Sequence, residues 1–356
     1  MMKKIFPCLL ILVLLGSAVN FGFDVAQVSA EDKLKKDSEK WEFIVNTEFK
    51  EEAVYNASLS KSEKIAALGL QDGRVIIWDI EKNEIINTLK KSNKIITNVD
   101  FSSTNDKLIF SSLDNNILRI WNLNNNNFDK DITFEGAIGE VEYIPNTDNV
   151  ILQLNNSVIV VDLEDKSIIK RFSLTKKSGI NSISVSETGK YIAAAGDEVI
   201  NIWNLSSGEL HNTIEWEIGG GTRIPGIKTI DLSNKKELVA AGGPPSQVKI
   251  WNMNTGEIVS EISVSNYYDS VTSMKFSPKV KNLIFTVGKW GSVNSPATKE
   301  KNGLINIFNI KSNSVVKKIK TFNPVLTVDF SKVNNNLIFG TDNGNNDKGL
   351  AEIWSR

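Results

Sequence analysis

Short runs in which apolar and polar residues alternate recur along the chain from residue 41 onward. VKIWNMNTGEIVSEI (248–262) holds an alternating strand, a Trp, a polar turn and a second alternating strand. RVIIWDIEKNEIINTL (74–89), LRIWNLNNNN (118–127) and INIWNLSSGELHNTI (200–214) have the same form. Upstream of such units lie apolar runs such as KLIFSS, YIAAAG, ELVAAG and LIFTVG, and before those ITNVDF, INSISV, VTSMKF and LTVDF. Alternation at period two, bounded by clusters of Asn, Gly, Ser and Lys, predicts short antiparallel strands rather than helices.

The units repeat. An aromatic or apolar residue closes the third strand at Trp78, Trp121, Val161, Trp203, Trp251, Phe308 and Trp354, at spacings of 43, 40, 42, 48, 57 and 46 residues. Each is followed by Asp, Asn or Ser. Seven such units in register resemble the WD-repeat family of β-propellers, over roughly residues 41–356. The resemblance implies an all-β, seven-bladed propeller of four-stranded antiparallel blades. It also implies that the N-terminal strand WEFIVNTEF (41–49) completes the last blade, whose own third strand, LAEIWSR, is the last in the sequence. Trp78, Trp121, Trp203, Trp251, Phe308 and Trp354 are then structural, each filling the space between neighbouring blades. The Gly-His of the family pattern is absent, and His211 is the one histidine. Asp72, Asp114 and Asp197 stand near the family's loop Asp, so the expected buried His–Asp network gives way to apolar packing and strand pairing.

The first thirty residues differ in kind. MMKK, an apolar run IFPCLLILVLL and Val28-Ser29-Ala30 have the layout of a secretory signal peptide. The expected organisation is a signal peptide over 1–30, a linker over 31–40 and the propeller over 41–356. Cleavage is expected after Ala30, with Ala18 as the second choice and an uncleaved anchor as the alternative. The protein is therefore expected to be extracytoplasmic, in a periplasm or secreted. Cys8, the one cysteine, falls inside the apolar run, so the chain beyond it has neither a disulfide nor a thiol nucleophile. Net charge is −1, from 41 basic and 42 acidic residues. Overall that balance argues against a nucleic-acid footprint and against a membrane patch beyond the signal segment.

Strand direction sorts the connections onto two faces. Those after the inner and third strands share one face and are short: EKN, NNNN, EDKS, SSGE, NTGE and KSNS. Those after the middle and outer strands share the other face and lengthen beyond His211, in WEIGGGTRIPG, GGPPSQ, SNYYD, KWGSVNSPATKEKNG and TDNGNNDKG. They carry Trp216, Arg223, Tyr267, Tyr268, Lys289 and Trp290, residue types that anchor interfaces. These six are the expected partner-binding residues, and the expected function is a non-catalytic scaffold for a protein partner. The alternatives on the same face are a carboxylate-based hydrolase or lyase, and a glycan binder. No catalytic residue, metal site or cofactor is expected. His211 reads as a surface residue without the ligand companions a zinc site needs. Asp100, Asp231 and Asp329 recur on inner strands and read as a solvated channel wall, although paired carboxylates can hydrolyse glycosides. DNGNND (342–347) lacks the carboxylate spacing of a calcium loop.

Overall fold

The computed structural model describes residues 41–356 apart from 114–115, 177, 217–225, 245–246, 264–268, 290–302, 332, 334–335 and 345–347. The described residues form 28 strands and no helix, assembled as seven separate four-stranded antiparallel sheets. Each sheet is one blade. Blade one runs from the inner strand Val54–Leu59 through Ile65–Leu70 and Arg74–Asp79 to the outer strand Glu84–Lys90. Five further blades repeat that order, with inner strands Ile96–Phe101, Ile138–Tyr143, Ser182–Val185, Thr229–Ser233 and Asp269–Phe276. The fold is the seven-bladed propeller that the repeat implies.

Blade seven is built from the first and last strands of the described residues. Its inner strands are Val325–Phe330 and Leu337–Thr341, its third is Lys348–Ser355, and its outer strand is Glu42–Lys50. The last two pair antiparallel from Glu42↔Ser355 to Lys50↔Lys348. A sheet strand has two hydrogen-bonding sides, and this pairing satisfies the outward side of Lys348–Ser355 that would otherwise be an open edge.

No blade buries its faces alone, and the core is divided among the junctions between blades. Seven apolar clusters occupy seven junctions. Trp78 packs with Ile338 and Ile353 of blade seven, and Trp251 with Ala193 and Ile202 of blade four. Trp121, Trp203 and Phe308 are buried in the same way, and Trp354 is partly buried against its cluster.

Turn geometry repeats as well. The turn after each third strand holds a left-handed residue at Asn83, Asn126, Lys166, Gly208, Gly256 or Asn313. Asn and Gly adopt that conformation at low cost, and Lys does not. Outer strands then grip the next blade's turn. Lys130 donates to the Leu163 carbonyl at 2.8 Å, Lys170 to the Leu205 carbonyl at 2.6 Å, and Asn212 to the Met253 carbonyl at 3.0 Å.

Candidate functional site

Seven inner strands face one another around the axis and enclose a cavity of about 400 Å³. Because side chains of a strand alternate, every inner strand sends two residues toward that space. The first tier is Asn56, Asn98, Glu140, Ser182, Thr229, Ser273 and Thr327. The second is Ser58, Asp100, Glu142, Asp231, Lys275 and Asp329, with Ser184 at the matching position of blade four fully buried and donating to Asp231. All are polar, as a water-accessible wall requires, but most are also bonded sideways.

In the first tier, side chains accept the backbone N–H one residue further along the next blade. Val99 N–H donates to Asn56 Oδ1 at 3.1 Å, Val141 N–H to Asn98 Oδ1 at 3.2 Å and Ile183 N–H to Glu140 Oε2 at 2.6 Å. Ile230 N–H donates to Ser182 Oγ at 3.3 Å and Val328 N–H to Ser273 Oγ at 3.2 Å. The second tier repeats the rule. Tyr143 N–H reaches Asp100 at 2.9 Å, Val185 N–H reaches Glu142 at 3.0 Å, Phe276 N–H reaches Asp231 at 2.7 Å, and Leu59 N–H reaches Asp329 at 3.1 Å. Inner strands of adjacent blades diverge too far for a sheet ladder, so these side chains supply the acceptors. Asp100, Asp231 and Asp329 are thus more than a solvated wall: each fastens its blade to the next.

One side chain crosses the channel. Lys275 of blade six donates to Glu142 of blade three at 2.9 Å and lies 3.3 Å from Asp231 of blade five. Burial disfavours its charge, but the Asp231 and Glu142 carboxylates outweigh that and hold the ammonium well above its usual value. Burial raises Glu142, with Lys275 acting against it. Burial, reinforced by the neighbouring Glu142 charge, pushes Glu140 up to about 7 despite its bonds from Ile183 N–H and Ser182. The channel has acids of raised proton affinity and a lysine fixed as a cation. The side chains it brings together include no thiol or imidazole, and its carboxylates already serve as acceptors. Among the described residues no group of three or more His, Cys, Asp or Glu is placed to hold a metal ion.

The six partner-binding candidates fare differently. Trp216 is corrected: it is 3% exposed and packs its ring 5.8 Å from that of Trp251 in the junction between blades four and five. The N–H of Trp216 donates to the Glu198 carbonyl, which holds the residue at the end of blade four's outer strand rather than at a loop tip. Lys289 is the last residue of the strand Asn282–Lys289, in register with Asp269. Arg223, Tyr267, Tyr268 and Trp290 lie outside the described residues, as does most of the DNGNND turn. His211 is exposed on blade four's outer strand, bonded to Asn254 at 2.8 Å, with its ring tilted against that of Tyr191. Sequence reasoning passed over Glu140, Glu142 and Lys275. Their signal is present in IGEVEY and VTSMKF, where charge sits at alternate positions of an inner strand.

Residues 83–122 and 167–204 match the WD domain, G-beta repeat. Each match begins at the start of one blade's outer strand or the turn residue before it, and ends with the third strand of the next. The nuclear distribution protein nudF of Aspergillus niger is 24% identical over 61% of this chain and 53% of its own length. The transcriptional corepressor LEUNIG_HOMOLOG of Arabidopsis thaliana is 25% identical over 51% of this chain and 22% of its own. The transcription factor unc-37 of Caenorhabditis elegans is 27% identical over 44% and 26%. The chain spans about half the length of the nuclear distribution relatives, and less of the others. The expectation of an extracytoplasmic protein is corrected here, because these relatives are named for nuclear distribution and transcription. Among the described residues no helix is long and apolar enough to cross a membrane, and residues 1–40, which carried the export reading, lie outside them. The repeat matches and the seven blades together support a WD-repeat propeller.

Proposed function

We propose that this WD-repeat propeller is a non-catalytic platform that binds a protein partner through the connections of blades five to seven. The observation that carries the reading is the sorting of connections by strand direction. Those after the middle and outer strands share one face, and the two longest, 216–228 before blade five and 290–302 within blade six, hold Arg223 and Trp290, with Tyr267 and Tyr268 in the connection 264–268 between those blades. The opposite face has only short turns. Binding groups commonly sit on loops held by a rigid scaffold, and aromatic residues with Arg are the usual anchors. The relatives' names, among them a corepressor and an apoptotic protease-activating factor, describe proteins that act on or with other proteins. The channel carboxylates support a non-catalytic reading from the other side, since they are committed to joining blades.

The test compares the whole chain with an Arg223→Ala/Tyr268→Ala/Trp290→Ala variant as baits in extracts of the source organism. A partner held by the first and lost by the second, with an unchanged thermal melt, supports the site. Equal capture by both moves the contact elsewhere on the ring.

A further inference from the structure

The chain is nearly neutral as a whole, but its charge is not evenly spread. From Asp269 to Thr321 there are ten lysines and two acids, Asp269 and Glu300, leaving 31 basic residues against 40 acidic in the rest of the chain. That segment is blade six. The ring is thus one cationic sector set in an anionic remainder, an arrangement that orients an incoming charged partner.

Six of these lysines surround one edge. Lys279 and Lys281 lie in the turn after the inner strand, and Lys311 in the turn after Gly303–Asn309. The two turns touch, because the Ile310 N–H donates to the Lys281 carbonyl at 3.0 Å. Lys317, Lys318 and Lys320 follow on the outer strand Ser314–Thr321. All but the half-buried Lys317 are exposed, and none forms an ion pair with another described residue. The outer strand pairs on one side only, with Gly303–Asn309. Its other side offers backbone N–H and C=O groups to solvent.

Edge lysines commonly serve to discourage aggregation. Other edges of this ring carry fewer charges or both signs: Glu261 on blade five, Glu215 on blade four, Lys170 and Arg171 on blade three, Glu84 and Lys90 on blade one, Asp129, Lys130 and Asp131 on blade two, and Glu42, Glu48 and Lys50 on blade seven. Blade six goes further, with three lysines on the strand, three more at its foot and no acid among them. Val316 is 38% exposed on the same strand, an apolar contact between the charges.

We propose that the outer edge of blade six is a docking strand for an acidic, extended segment of a protein partner, which adds to Ser314–Thr321 as a fifth strand. Backbone pairing supplies the affinity in such strand addition, and alternate side chains supply the selectivity. The partner's carboxylates meet Lys318 and Lys320, and the lysines of the two turns extend the contact along the rim. A nucleic acid fits less well. The six cations are all lysine, without the Arg fork that reads phosphate or guanine bidentately, and no aromatic on the strand offers a stacking platform. This surface is separate from the loop face, so either reading can fail alone.

The probe is a fluorescent eight-residue peptide alternating Glu and Val, titrated against the whole chain at low salt and again at about 0.15 M. Amide hydrogen exchange is followed in parallel. The expected result is binding that weakens with salt, slowed exchange over residues 314–321, and at least roughly tenfold weaker binding to a Lys317→Glu/Lys318→Glu/Lys320→Glu variant. A Lys318→Gln/Lys320→Gln variant, which removes charge without reversing it, is expected to fall between. The Arg223→Ala/Tyr268→Ala/Trp290→Ala variant is expected to bind the peptide as well as the parent chain. Any of these results overturns the proposal: equal binding by the charge-reversed variant; equal binding of a Lys–Val peptide; tighter binding of a single-stranded oligonucleotide; or peptide binding without protection of 314–321. Self-association of the whole chain that is lost on charge reversal, with no peptide bound, overturns it in favour of a second copy as occupant.

Discussion

Glu140 is a carboxylic acid whose proton affinity departs clearly from its free state. Its carboxyl is held at about 7 against an ordinary 4.5, chiefly by burial and then by Glu142. A raised acid pKa means that the folded chain keeps a proton that the unfolded chain releases above about 4.5. Stability from this group is therefore complete below that value and falls as pH rises toward 7 and beyond. Replacement by Gln, which keeps an acceptor for the Ile183 N–H, is expected to flatten the decline of melting temperature between pH 5 and 8, a difference on the order of 1–3 kcal/mol. An unchanged pH profile would sink this assignment. Lys275 gives the complementary case. Lys275→Met strands Glu142 and Asp231, and is expected to cost about 1–3 kcal/mol in urea unfolding, since both partners retain some solvent. Adding Glu142→Gln is expected to restore part of that loss. A double variant as unstable as the single would show that the cross-channel pair carries no coupling.

At the scale of elements, the turn following each third strand is a natural comparison set. Gly208 and Gly256 take the left-handed conformation freely, whereas Lys166 takes it at φ 57° with a Cβ in the way. Lys166→Gly is expected to raise stability by about 0.5–1 kcal/mol, measured by chemical denaturation. A loss would mean that the Lys166 side chain does more than occupy the turn. Strands, turns and blade boundaries were legible in the sequence because they depend on local alternation and on Asn and Gly placed between runs. The sideways bonds of the channel were not. Asn98 and Val141, or Asp100 and Tyr143, are partners 43 residues apart, and the donor is a backbone N–H that every residue possesses. Lys275 and Glu142 are 133 residues apart and meet only because blades three and six face each other across the axis. Trp216 misled for a related reason. It follows a strand and opens a long connection, and nothing local says that its ring turns inward onto Trp251.

For the whole molecule, cohesion comes from repetition of one junction rather than from a central core. Every junction combines an apolar cluster with polar links at the channel, and the junctions from blade one round to blade six add grips at the outer turns, so damage to one junction is felt as a loosened ring. Deleting residues 42–50 opens the ring where its ends meet, and is expected to abolish a single cooperative melt and to promote aggregation by exposing the edge of Lys348–Ser355. A cooperative melt at the parent temperature would show that blade seven stands without its outer strand. The same pairing sets Glu42 beside Ser355 in register. In geometric terms the chain is close to a circle that happens to be cut inside blade seven. A short linker joining those two points, with the backbone reopened at the exposed turn Asp165–Lys166, would give a permuted sequence encoding the same ring. The order in which the blades are written is then a matter of the gene, while their cyclic order is a matter of the fold.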